Sequence, residues 1–267
     1  MDISTFFNAL WEDYIKMAPR AQTLHQVFQQ RGETIVNDHV AFRTLNLSPI
    51  DLPTLESHLV GLGYERFAPY DFPEKKLHAW GYIPPEETLP RIFLSELKCQ
   101  AFSPSVQHIL QNLCDQIDPI IVRNQSIFWS GRLWKPISWR DYQTLLAESE
   151  YAAWVAALGL RPNHFTLSVN FLKHTQSLEE VLQVVREQNI PLNTSGGIIK
   201  GSPNVLLEQA STLADQMPIE FAGNEVHTIP TCYYEFARRY RHEAGELYSG
   251  FVAASADRIF ESTHTQK

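Results

Sequence analysis

A chain of 267 residues with 44% hydrophobic and 12% aromatic side chains has the composition of a globular protein with a sizeable core, long enough for one large domain or two small ones. The net charge of −8 argues against nucleic-acid binding, and no apolar run approaches the roughly 18 residues of a membrane span. The three cysteines, Cys99, Cys114 and Cys232, lie far apart and fit a reducing cytoplasm, and the acidic, amphipathic start MDISTFFNALWEDYIKM is unlike a signal peptide.

In chain order, residues 4–30 read as helix. Phe6, Leu10, Tyr14 and Met17, then Leu24 and Val27, recur at helical spacing, and Pro19 is expected to divide the run. The next stretch, NDHVAFRTLN from Asn37 to Asn46, alternates as a half-buried strand does, which places His39, Ala41, Arg43 and Leu45 on one face. A His and an Arg separated on that face only by Ala41 suit the floor of a polar cavity. Ser48 to Asp51 with Pro53 signals a helix start, Leu55, Leu59 and Leu62 form its apolar face, and Gly61 and Gly63 end it. Strands are expected over 64–70, 76–83 and 91–98, so residues 31–103 read as a βαβββ module.

Residues 104–160 read as a helical insertion, from Val106, Ile109, Leu110 and Leu113, then Tyr142, Leu145, Tyr151, Trp154, Val155 and Leu158. The Trp-rich stretch 128–139 inside it is expected to pack rather than bind. From Asn163-His164 the opening theme returns: a second His-headed strand, a helix begun by the capping box Ser177–Glu180, and a loop from Asn193 to Pro203. A bulged strand is expected from Val205 to Phe221, then one long strand from Thr228 to Arg239. Residues 161–245 thus read as a second βαβββ module, followed by a C-terminal helix around Phe251, Ile259 and Phe260. The whole chain, 1–267, reads as a single α+β domain whose paired modules curl a mixed sheet into a cup.

A metal in such a cup would take ligands from the first and last strand of each module. The first strands offer His39 and His164. The last offer Glu96 and Glu235, both in apolar runs where an unpaired carboxylate is costly to bury. Two imidazoles and one carboxylate leave open positions on a divalent metal, the pattern of non-haem Fe(II) oxygen chemistry. Arg43 beside that metal would hold a substrate carboxylate by a bidentate contact, and the 193–203 loop, with Lys200 and Ser202, could bind an anion. Plainer readings stand alongside: a strand His is commonly a hydrogen-bonded core residue, Glu235 could pair with Arg238 or Arg239, and Arg43 with an acid.

NDHVAFRTLN, FLSEL, NHFTLSVN, NTSGGIIKGSP and IPTCYYEFARRY, in this order, together resemble the 2-oxoadipate dioxygenase/decarboxylase family, also called 2-hydroxyglutarate synthases, over about residues 30 to 245. The resemblance implies a vicinal-oxygen-chelate fold and Fe(II) held by His39, His164 and Glu235, with Zn or Ni as possible replacements. It implies that Arg43 binds substrate, with Lys200 or Ser202 expected to assist at the distal carboxylate. The implied reaction takes a 2-oxo dicarboxylic acid such as 2-oxoadipate and O2 to 2-hydroxyglutarate and CO2, within lysine catabolism, with no nucleic-acid or membrane partner. Glu96 has no role that carries over; a place behind the ligands is the expectation for it. The competing functions are a divalent-metal hydrolase or isomerase on the same fold, with Glu96 as fourth ligand or base, and a non-catalytic 2-oxo acid binding protein.

Overall fold

The computed structural model describes residues 2–243 and 245–263. Helix α1 (Ile3–Met17) is capped by the Asp2 side chain, which accepts from the Thr5 amide, and α2 (Pro19–Gln30) begins directly after Ala18. Pro19 lacks the N–H that a continuing helix would need, so the two stay separate. Then come β1 (Asn37–Leu45), α3 (Leu52–Gly61), β2 (Glu65–Phe72), β3 (Leu77–Ile83) and β4 (Arg91–Leu97). The helical section holds α4 (Pro104–Cys114), α5 (Trp139–Glu148) and α6 (Glu150–Leu158). The chain continues through β5 (Pro162–Ser168), α7 (Leu178–Glu187), β6 (Lys200–Ser202), β7 (Leu207–Ser211), β8 (Gln216–Glu220), β9 (Val226–Pro230), β10 (Tyr233–Arg239) and α8 (Ala253–Ile259). No described helix is long and apolar enough to cross a membrane.

Eight strands form one mixed sheet in the order β2-β3-β4-β1-β5-β10-β7-β6. β1 and β5 run antiparallel at its centre, flanked by β4 parallel to β1 and β10 parallel to β5. Read outward from the centre, each half runs first, last, third, second strand, which is the paired-module cup. The first strands meet at the pseudo-twofold axis, so residues at their heads come together although 125 positions separate His39 from His164.

Two expectations need correction. The stretch from Val205 to Phe221 is not one bulged strand but β7 and β8, and Thr228 to Arg239 is not one strand but β9 and β10. β8 and β9 pair with each other in a separate hairpin, outside the main sheet. Pro230 has no N–H to continue a ladder. The next amides leave the strand direction: Thr231 donates to the Asp215 carbonyl at 2.8 Å and Cys232 to the Met17 carbonyl at 3.3 Å.

Every residue of α6 from Tyr151 to Leu158 is buried, as its apolar circumference requires. The Trp-rich stretch packs: the Trp134 indole donates to the Ala156 carbonyl at 2.9 Å, and Trp129 stands edge-on to Phe6. The Ser177–Glu180 capping box closes both ways and opens α7. Replacing Ser177 with Ala is expected to lower stability by about 1 kcal/mol. Urea unfolding should show a lower midpoint with an unchanged m-value.

Candidate metal centre

In a regular strand the residue before a His points to the opposite face. Both first strands break the pleat there. Asp38 is the extra residue of β1, between the pairs Asn37–Leu167 and His39–Thr166. Asn163 is the extra residue of β5, between the pairs Ala41–His164 and Phe42–Pro162. These bulges re-aim the short side chains. Asp38 Oδ1 lies 2.8 Å from His39 Nδ1, and Asn163 Oδ1 lies 3.0 Å from His164 Nδ1. With each Nδ1–H donated backwards, the lone pair of each ring falls on Nε2; that of His39 lies 3.0 Å from the Thr166 hydroxyl.

Glu235 stands opposite Thr166 on β10 and shares that face. Its Oε2 lies 3.1 Å from His164 Nε2, and its Oε1 lies 3.6 Å from His39 Nε2. One ligand atom from each of the three residues falls within 4.8 Å of the others. Gln209 on β7 donates to Glu235 Oε1 at 2.6 Å, while Oε2 is buried with no hydrogen-bond donor. Burial pushes the His164 imidazole down, more strongly than Glu235 draws it up. Burial would push the Glu235 carboxyl up, but His39 and His164 together hold it below its ordinary value. The downward shifts of His164 and Glu235 both favour the deprotonated forms that ligation needs. Two nitrogens, one orphaned carboxylate oxygen and an acceptor behind each ring fit a divalent metal such as Fe(II), and the same donors also suit Zn or Ni.

Behind His39 stands an ion pair the sequence reading did not foresee. Arg239 Nε lies 2.7 Å from Asp38 Oδ2, and Nη2 lies 2.8 Å from Oδ1, all of it buried. Burial opposes the Asp38 charge, and the bidentate guanidinium overcomes it, holding the carboxyl far below the usual range. Arg239 Nη1 also donates to the carbonyls of Tyr248 and Gly250 at 2.9 and 2.7 Å. It thereby holds the strap that brings the Phe251 ring edge-on to His39, 4.9 Å away. Arg239 is therefore the partner of Asp38, and Glu235 faces the histidines instead.

Glu96 does not join the centre. Glu235 pairs with the residue two after His164; two after His39 is Ala41, which pairs with Phe93. Phe93 therefore holds the pseudo-equivalent position and lines the cavity. Glu96, an odd number of residues further on, faces the other side of the sheet and accepts the Leu52 amide of α3 at 3.0 Å. Neither Lys200 nor Ser202 lines the cavity. Lys200 donates to the carbonyls of Asn193 and Ile198 at 2.6 and 3.2 Å, with its amine pushed down to about 8 by burial, and so props its loop from within. Ser202 sits at the end of β6, where Pro203 opens a short turn.

Arg43 is 1% exposed. Its Nη1 donates to Glu150 at 2.9 Å and its Nη2 to Thr263 at 3.0 Å. Its Nε is buried without a partner. The guanidinium carbon lies 5.0 Å from the rings of both Tyr151 and Trp154 and 5.8 Å from Phe260. Two cavity residues escaped notice in the sequence. Gln209 orients Glu235, and Tyr233 stacks on His164 at 4.6 Å with a buried hydroxyl that has no partner. The signal for Tyr233 was its place two residues before Glu235, on the same strand face.

A mixed sheet curled from two βαβββ halves, with two His and one Glu meeting at its centre, defines a paired-module protein with a candidate site for a divalent metal. Residues 3–245 match the family model of 2-oxoadipate dioxygenase/decarboxylase. A chloroplastic/amyloplastic 2-oxoadipate dioxygenase/decarboxylase of Oryza sativa subsp. japonica is 34% identical over 274 residues, covering 94% of this chain and 75% of the rice protein. The crystal structure of a Shewanella frigidimarina protein, described provisionally as a hydrolase, is 47% identical with a TM-score of 0.90 over 95% of this chain and 98% of that one. The hydroxyglutarate synthase of Oryza sativa, solved in complex with 2-oxoadipate, is 32% identical with a TM-score of 0.91 over 97% and 91% of the two chains. The chain belongs to the 2-oxoadipate dioxygenase/decarboxylase family.

Asp38→Asn gives up the ion pair behind His39 and is expected to weaken divalent-metal affinity about 10–100-fold, measured by calorimetric titration with Co(II). Because the folded state depresses the Asp38 carboxyl, the stabilisation it brings is complete above the ordinary carboxylate range. It is lost as pH falls through that range toward the folded value. Asp38→Asn should flatten this acid limb of the stability profile, and an unchanged limb would assign it to other carboxyls.

Proposed function

We propose that this chain is an Fe(II)-dependent dioxygenase/decarboxylase of 2-oxo dicarboxylic acids, with 2-oxoadipate as substrate and 2-hydroxyglutarate and CO2 as products. The observation that carries this reading is the convergence of His39, His164 and Glu235 in a buried cavity, with one carboxylate oxygen unmatched by any donor. One keto diacid and one O2 account for all atoms of the hydroxy diacid and CO2. Fe(II) held by the three residues supplies the redox chemistry that O2 requires and coordination positions for the substrate.

The protein's own groups do the rest. Gln209 and the two acceptors behind the imidazoles fix the ligand orientations before any substrate arrives. The unpartnered Tyr233 hydroxyl offers a donor to the substrate's oxygen atoms. Arg43 takes the distal carboxylate: it holds a permanent charge, one of its nitrogens is unpartnered, and Glu150 and Thr263 are partners that a substrate can replace. Phe93, Phe251 and Phe260 form an apolar wall that keeps bulk water from the reacting centre. The cysteines, all free and buried, suit a reducing compartment such as the cytoplasm.

A hydrolase or isomerase would need a general base beside the metal, and Glu96, the candidate for that role, faces the other side of the sheet. Oxygen uptake decides between these readings. Anaerobically Fe(II)-loaded protein given 2-oxoadipate should consume O2 and release CO2 in equal amounts, and His39→Ala should do neither. No uptake with 2-oxoadipate or its shorter and longer homologues would return the hydrolase and binding-protein readings to the front. Arg43→Met removes a charge-assisted contact, so kcat/KM for the diacid should fall about 10–100-fold. The loss should be much smaller for a 2-oxo monoacid of similar length, which has no distal carboxylate to place.

A further inference from the structure

The cavity at the triad encloses about 20 Å³, the space of a single water. A keto diacid cannot fit there as the side chains stand. Beside it lies an open hollow of about 430 Å³, a volume ordinary for a small-molecule site. Lys76, Phe102, Glu148, Glu150 and Tyr151 are among its walls. Among the described residues one side chain belongs to the walls of both spaces: Phe260.

Phe260 begins the helical turn Phe260–Thr263 that follows α8. Its ring stands edge-on to Phe72 at 5.3 Å and lies 5.8 Å from the Arg43 guanidinium. Arg43 lines neither space itself but stands buried behind the partition, against Phe260. Its partners Glu150 and Tyr151 line the hollow, and Phe260, 5.8 Å from its guanidinium, lines the cavity as well. The backbone carrying Phe260 is pinned: Ser262 Oγ pairs with Asn193 Nδ2 at 2.9 Å and with Ser211 Oγ at 2.8 Å, and Thr263 bonds Arg43. On the outer side, Lys75 reaches from the β2–β3 turn to Asp257 of α8 at 2.9 Å. With the main chain held, the ring of Phe260 is the part that can turn.

We propose that Phe260 is the gate and size-selecting residue of the substrate's entry route. The hollow receives the 2-oxo acid, rotation of the Phe260 ring joins hollow to cavity, and the keto-acid end advances to the triad. The distal carboxylate then comes to rest on Arg43 at the junction, where it displaces Glu150. This inference rests on the dioxygenase reading, since that reading is what brings a diacid to the triad.

Its test uses binding rather than turnover. Protein loaded with Co(II), whose visible absorption reports the ligand field, is mixed under stopped flow with 2-oxoadipate, and the association rate is read from the spectral change. Phe260→Ala should raise that rate on the order of tenfold and Phe260→Trp should lower it by a similar factor, the scale on which association rates vary among related variants. Dissociation should shift in the same direction, so that Kd moves less than either rate. The Phe260→Ala gain should grow from pyruvate to 2-oxoglutarate to 2-oxoadipate. The unliganded Co(II) spectrum should be the same in all three proteins, which shows that the site has folded. Association rates equal in the three proteins would overturn the gate while leaving the dioxygenase reading intact. A spectrum that 2-oxoadipate leaves unchanged in the wild type and in Phe260→Ala would overturn the dioxygenase reading and the gate with it.

Discussion

Glu235 carries its charge where water does not reach, and much of the molecule is arranged around that cost. One oxygen is met by the Gln209 amide; the other has only the His164 Nε2 beside it. A carboxylate so placed is tolerable when a cation completes its surroundings, and burial of an unpaired charge is otherwise among the costliest features a fold can carry. The two rings can assist only if they present Nε2, so each must donate Nδ1–H to something behind it. Inside a sheet, with backbone groups committed to the ladder, that something has to be a side chain. The bulges at Asp38 and Asn163 deliver it, and they bring the two strands' irregularities to the same place relative to the pseudo-twofold axis.

The axis is broken where the chemistry requires it. A fully symmetric cup would bring two carboxylates to the centre. Here Phe93 occupies the position that mirrors Glu235, leaving three ligands and an apolar wall. Three such residues would leave coordination positions open on a bound metal, with an aromatic wall where a fourth ligand would stand. The helical section breaks the symmetry again: α6, inserted between the halves, supplies Glu150 and Tyr151 around the Arg43 head.

Arg239 extends the demands of the centre outward. By holding Asp38 with two nitrogens and the Tyr248 and Gly250 carbonyls with the third, it makes the orientation of His39 and the course of the C-terminal strap parts of one network. The strap leads to Phe251 and then, through α8, to Phe260. The segment that roofs the site is therefore tied to the same ion pair that aims a ligand.

Much of the architecture was legible in the chain itself. The helix breaks at Pro19 and Gly63, the capping box at Ser177 and the alternation around His39 are local signals, and local signals act through neighbouring residues. The duplication of His-headed strands pointed to two halves, to His39 and His164, and to Glu96 and Glu235 as candidate acids, of which the family resemblance singled out Glu235. What the sequence left open depends on register between strands distant in the chain. Counting along a strand could not tell Glu96 from Phe93 as the partner of Glu235, because only the pairing with β1 decides which residue stands two past the histidine. Reading Thr228 to Arg239 as one strand failed because the Thr231 and Cys232 amides donate to the carbonyls of Asp215 and Met17, remote in sequence, and so turn the chain after Pro230. The Lys200 amine, expected at the substrate, is held by nearby carbonyls on a loop whose path is set by packing against the C-terminal segment. The sequence by itself determined the ligand types and the element pattern, since these are written in residue identity and period. Tertiary structure decided which carboxylate stands against the histidines and what lies behind each ring, because those depend on how remote strands align.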